Sequence, residues 1–239
     1  RIHSVERMIF TSTGIKMDTV SDVSFGASPQ PSRVLFVITG LLISSAFPNR
    51  TLAAPGTVYW DGPHMAQVRK TLNDQPHDTL KSALRLLQKN ADEALEGRVY
   101  SVMNKRDVPP SGDKHDYLSH SRYWWPNPDT DDGLPYVRRD GEINHDILAR
   151  GDRNEIGQFY DDVEALSLAC FFLEDRRYGE RALALIEAWF LDPATRMNPH
   201  LRYGQAVPGR AEGRGVGIID TRHFIRVMDG MAVLSSTKM

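Results

Sequence analysis

Apolar residues recur along much of this chain in steps of three and four, the spacing of one face of a helix. Over 78–96 the face is Leu80, Leu84, Leu87, Ala91 and Leu95, with Asp78 placed to cap the start and Gly97 the end. Over 155–174 it is Phe159, Val163, Leu166, Cys170 and Leu173, while Asp161, Asp162 and Glu164 fall off the stripe. Over 177–191 it is Tyr178, Ala182, Leu185, Ile186 and Trp189, and Asp192-Pro193 ends the run. Only residues 174–177 separate the second and third stripes, so these helices are expected to form an antiparallel hairpin. A last helix is expected over 221–234. No stretch alternates with the period of a strand. The pattern therefore predicts an all-α chain built of helix hairpins, with long aromatic and Gly/Arg-rich loops over 107–153 and 192–219. Loops of that length in a compact domain are usually functional or disordered. Trp124, Trp125, Tyr117, Tyr123 and Tyr136 argue against disorder in the first.

The N-terminal part reads differently. Residues 1–32 show no period. Arg33 is then followed by the apolar run 34–43 and by Ser44-Ser45-Ala46. A basic residue, a short apolar run and a small-residue site describe a secretory signal, and the run is short for a membrane span. A buried element of the fold is the competing reading. Residues 1–54 are thus expected to be a leader with a signal-like segment at 33–54, and 55–239 the α domain. A secreted or periplasmic protein with no membrane contact in its mature form is the corresponding expectation.

Composition narrows the classes. The 239 residues carry 29 Lys and Arg against 31 Asp and Glu, a net charge of -2, which does not suit a nucleic-acid binder. The single cysteine, Cys170, excludes an internal disulfide framework and a cysteine zinc cluster. His115 and His120 lie five apart near Asp113 and Asp116, but there is no His-Glu-x-x-His, and no metal is expected. No cofactor is expected either. A P-loop is missing, and Gly213, Gly215 and Gly217 do not make a dinucleotide fingerprint because Ile218 stands where the third glycine belongs. A hydrolase elbow of the Gly-x-Ser-x-Gly type is also missing.

Two segments concentrate chemistry. Residues 111–128, SGDKHDYLSHSRYWWPNP, combine ammonium, imidazole, phenol and indole groups; aromatic faces stack on sugar rings and cations pair with carboxylates. Between residues 200 and 226, five arginines face only Glu212 and Asp220. Such a strip can hold an anionic ligand on a nearly neutral protein. The plainer alternative is that Trp124 and Trp125 pin a loop, that the glycines permit a tight turn, and that the arginines are solvated or paired with those two carboxylates.

These segments, with DGLPYVRRDGEIN, VEALSLACFFLEDRRYGERALALIEAWFLDP and ATRMNPHLRYGQAVPGRAEGRGVGIIDTRH, resemble the alginate lyase superfamily domain over roughly residues 80–234. The resemblance implies an (α/α) toroid with a cleft between helix hairpins and a lid loop, here at 114–117. It also implies β-elimination of a 4-linked uronate polymer of the alginate or glucuronan type. In that reaction a base removes the C5 proton and an acid protonates the departing glycosidic oxygen. The uronate carboxylate must be neutralised meanwhile. Carried over to this sequence, the substrate-binding residues are Lys114 and Tyr117 in the lid and Gln205, Arg210 and Arg214 along the cleft, with His115, Arg122 and Tyr203 beside them. No catalytic residue is carried over. The family's Asn-Asn-His motif does not occur here, and His200 follows a proline. The expectation is therefore an incomplete toroid, the front portion of a longer lyase. A catalytically inactive module that binds anionic polysaccharide is the alternative.

Overall fold

The computed structural model describes residues 9–11, 14–16, 54–74 and 76–237. The signal-like run and its small-residue site lie outside the described residues. The chain divides into residues 1–48 and 49–239. In the first unit, β1 (Ile9–Thr11) pairs antiparallel with β2 (Gly14–Lys16), with Phe10 opposite Ile15. This hairpin stands in a stretch where no regular element was expected.

The second unit is mostly helical. Its helices are α1 (Gly62–Asp74), α2 (Asp78–Leu95), the single turn α3 (His145–Leu148), α4 (Arg153–Leu173), α5 (Arg176–Phe190) and α6 (Phe224–Ser236). Helix α4 is the hub, packed against α2, α5 and α6. Its stripe of Phe159, Val163, Leu166 and Cys170 meets Ala182, Leu185 and Trp189 of α5 in one core. Phe159 and Trp189 stack at 5.1 Å between ring centroids. The hairpin joining these helices is tight because Glu174 takes a left-handed backbone (φ 58) and the Asp175 carboxylate accepts the Arg177 N–H as a cap.

Three features depart from the periodicity. His77, not Asp78, caps α2, its Nδ1 accepting from Leu80 N at 3.3 Å; Asp78 is the first helical residue, where its charge still suits the helix dipole. Leu80 and Leu84 are only half-buried, and α2 packs firmly from Leu87 onward. Helix α1 carries no apolar stripe and was not foreseen. It is held by Met65 and Trp60 against Phe171 and Val233, and by the buried Asp229 carboxylate, which accepts the backbone N–H groups of Val58, Tyr59 and Trp60.

The all-α expectation is corrected by short strands inside the two long loops. β3 (Leu118–His120) runs parallel to β6 (Tyr203–Ala206), and β4 (Trp124–Trp125) antiparallel to β5 (Val137–Arg138). Strands of two to four residues are too short to show an alternating period, and β3 and β6 are buried on both faces. The tryptophans pin their loop as the plainer reading supposed: Trp125 Nε1 donates to Glu142 O at 3.1 Å. No helix among the described residues is long and apolar enough to cross a membrane.

Candidate functional site

The β3–β6 ribbon brings the two chemistry-bearing loops together, and its pleat sends successive side chains to opposite sides. Ser119 and Gln205 point toward the start of α4. Leu118, His120 and Ala206 line a cleft on the other side. The ribbon is anchored to α4 by Asp152, whose N–H donates to Leu118 O at 2.7 Å and whose carboxylate accepts Leu118 N at 2.8 Å. Glycines allow the close backbone passes. A Cβ on Gly213 would collide with the Arg202 carbonyl, and Gly204 and Gly217 face each other with no room for side chains.

On the α4 side everything converges on Asp220, in the 3-10 turn Gly215–Thr221 ahead of α6. Its buried carboxylate is ion-paired with Arg153 and accepts from Gln205 Nε2 (3.0 Å), Ser119 Oγ (2.5 Å) and Tyr117 OH (3.2 Å). Tyr160 OH donates to the Asp220 carbonyl. Gln205 adopts φ 54, unusual for a residue with a side chain, and this aims its amide at Asp220. Arg214 Nε donates to Gln205 O at 2.8 Å. Beside this network a cavity of about 200 Å³ opens at the first turns of α4 and α6, lined by Arg153, Tyr160, Arg222, His223 and Arg226. Burial and the neighbouring Asp220 carboxylate push the Tyr117 and Tyr160 phenols up from their ordinary value. Burial and then Arg222 and Arg226 hold the His223 imidazole below its usual range, which keeps it neutral; its Nε2 accepts from Arg222.

The cleft on the other side holds about 830 Å³. Its floor is Leu118, Tyr136, Val207 and Pro208, and its rim carries Arg106, Arg150, Arg210, Asp132 and Glu212.

The expected binding residues thus fall into three groups. Tyr117 and Gln205 meet at Asp220, and Arg214 is tied to the Gln205 carbonyl, with Tyr203 on the same strand as Gln205, edge-on to His200. Tyr117 lies beneath the surface, fully covered. Arg122 and Arg210 flank the Trp124–Trp125 strand, Arg210 stacking over Trp124 at 5.3 Å while its Nε donates to Tyr136 O. Lys114 and His115 sit apart, against the 192–200 loop: His115 Nδ1 donates to Arg196 O, and Lys114 Nζ reaches Met103 O. Between these two residues and α4, the fully buried Lys105 bonds the Lys114 carbonyl and pairs with Asp152 at 3.1 Å. Burial lowers the Lys105 ammonium's affinity for its proton and raises Asp152 to about 7.

The arginine strip is not one surface. Arg226 is paired with Asp161 and Glu164 of α4, leaving Arg202, Arg210, Arg214 and Arg222 without a carboxylate partner among the described residues. Sequence reasoning took Asp220 only as a possible partner for these arginines, weighed His120 only as a metal ligand, and passed over Arg153. The partners of Asp220 lie up to 103 residues away in sequence, so no local pattern announces them.

The family model for alginate lyase matches residues 101–239, a span that contains the whole ribbon, the Asp220 network and both cavities. A crystal structure of an alginate lyase from Bacteroides ovatus is similar, with 39% identity and a TM-score of 0.72 over 77% of this chain and 48% of that one. The chain therefore spans about half the length of that relative. No curated protein matches the chain. With the family's model lying over more than half of its residues and over every element that builds the ribbon, this chain belongs to the alginate lyase family.

Proposed function

We propose that this chain is a polysaccharide lyase that cleaves a 4-linked uronate polymer by β-elimination. The observation that carries the reading is a cavity lined by Arg222 and His223 whose buried Asp220 carboxylate is already saturated with donors, among them Gln205, whose carbonyl in turn holds Arg214. Among the described residues Arg214 is bonded only through Nε, which leaves its terminal nitrogens for a ligand carboxylate. Neutralising that carboxylate is what makes the C5 proton removable. The electron pair then forms the C4–C5 double bond, the C4–O bond breaks, and the departing oxygen takes a proton. Tyr203 is assigned to the same substrate path. Lys114 and His115 form the lid reading, and Arg122 and Arg210 extend the path along the Trp124 strand. Helices α2, α4, α5 and α6 are taken as part of an (α/α) toroid, and the protein as secreted or periplasmic.

The binding-module alternative is favoured by one observation. A phenolate base needs cationic neighbours that lower its pKa, and Tyr117 and Tyr160 are shifted the other way. One experiment separates the readings. The chain is incubated with polymannuronate, polyguluronate or glucuronan, and the ultraviolet absorbance of unsaturated uronate is followed beside equilibrium binding. Product that falls at least tenfold in Arg214→Ala supports the lyase reading. Binding without product supports the module. Neither binding nor product refutes both.

A further inference from the structure

Among the described residues, α6 packs extensively only against α4, with Met65 of α1 and Phe190 of α5 touching its edges. Its other side carries Ile225, Met228, Met231, Ala232 and Ser235, which recur at helical spacing and share one face. Met228 and Met231 are 57% and 41% exposed. The two charged residues of α6 are turned away from this face. Arg226 goes to Asp161 and Glu164 of α4, and Asp229 to the backbone of residues 58–60. Asp229 stands one position past Met228, so it fixes Val58 and Tyr59 along the flank of the face, where they are 79% and 68% exposed.

Large side chains present about 150–250 Å² each when fully exposed, so at these exposures the face and its flank offer on the order of 600 Å². That is the upper end of what a monomer leaves in water as one apolar patch. Two such faces together cover about 1,200 Å², the area at which specific, stable interfaces begin. The placement of the methionines selects the occupant. Helix α6 spans Phe224–Ser236, so Met228 and Met231 straddle its midpoint. Two copies laid antiparallel across a two-fold axis bring Met228 of each against Met231 of the other, the self-complementary contact that such an axis requires. Antiparallel pairing also opposes the two helix dipoles favourably, and no charge on the face has to be buried. Unbranched methionines fill such a contact without a demanding match of shape. A net charge of -2 per chain adds little repulsion between copies.

We infer that the outer face of α6 is a docking surface for a second copy of this chain, with the two α6 helices antiparallel, Met228 against Met231 at the centre, and Val58 and Tyr59 closing the flanks. The inference does not depend on the elimination reaction, because none of these residues lines the cleft or the cavity beside Asp220.

The test is sedimentation velocity on the full chain from about 1 to 200 µM, a range that brackets the micromolar affinity expected of an interface this small. The parent should pass reversibly from one copy to two and stop there. Met228→Glu and Met231→Lys should each weaken the pairing about tenfold or more, since either buries a charge against methionine. The double variant Met228→Glu/Met231→Lys places opposite charges across the axis twice and should return to within about threefold of the parent. Both positions are exposed, so the variants should keep the parent's thermal midpoint, which circular dichroism checks. A parent that stays a single copy over the whole range overturns the inference whatever the variants do. So does a dimer that neither single substitution weakens, which would use another surface. Mass that grows past two copies with concentration overturns it as well, since a closed two-fold contact stops at two. A double variant no better than the single ones removes the antiparallel pairing of Met228 with Met231.

Discussion

Replacing Asp220 with alanine removes the one carboxylate that holds Arg153, Gln205, Ser119 and Tyr117 in place. Arg153 would be left as a largely buried charge without its partner, a loss of about 3–5 kcal/mol in such settings. Its access to the cavity at the start of α4 favours the lower end. The Tyr117 hydroxyl has no route to solvent, and stranding it adds about 1–3 kcal/mol. Ser119 and Gln205 share the same cavity and relax together, so the costs do not simply add, and a total of about 5 kcal/mol is expected. Domains of this kind are stable by about 5–15 kcal/mol, so Asp220→Ala should bring the chain close to unfolding. Asp220→Asn keeps the volume and one acceptor, and the two hydroxyls can turn to accept from its amide; about 2 kcal/mol is expected there. Urea unfolding followed by tryptophan fluorescence reads both, with the midpoint reporting stability and the slope confirming that the native state is still compact. An alanine variant within about 1 kcal/mol of the parent would show that the carboxylate does not organise the ribbon. So would alanine and asparagine variants of equal stability.

Three further outcomes follow from the same structure. Gln205→Gly should be more stable than Gln205→Ala by about 1 kcal/mol in thermal unfolding, because both lose the bond to Asp220 but only glycine relieves the left-handed backbone; equal stabilities would remove the strain argument. Lys105→Met strands the Asp152 carboxylate and should cost about 3–5 kcal/mol at pH 8. Asp152 is already raised to about 7, so the loss should shrink as pH falls and the acid form takes over; a pH-independent loss would refute the pairing. His120, held below 6.5 by burial, stays neutral in the fold after unfolded chains have begun to protonate. Stability should therefore fall as pH drops from 6.5 toward its folded value, and a histidine titration by NMR at or above 6.5 would contradict this.

The helices that were legible are those whose contacts are local. Phe159, Val163, Leu166 and Cys170 recur on one face, and so do Ala182, Leu185 and Trp189; the fold buries both faces against each other. Helix α1 was not legible, because only Gly62 and Met65 of its residues are buried, and the carboxylate that holds the turn before it, Asp229, lies about 170 residues away. The loop motifs were recognisable as segments. Their composition could not tell that Tyr117 would be sealed beneath Asp220, or that Arg226 would be neutralised by α4.

By itself the sequence determined the helix hairpin, the family resemblance and the two segments where chemistry concentrates, since periodicity and motif are properties of neighbouring residues. Only the tertiary structure decided how those segments combine. A parallel pairing of residues 118–120 with 203–206 has no local signal, yet it sets which side chains face Asp220 and which face the His120 cleft. Charge followed the same rule: five arginines between residues 200 and 226 became one paired with α4, one stacked on Trp124 and three without a carboxylate partner among the described residues, because partner distance in space, not in sequence, fixes what a charge does.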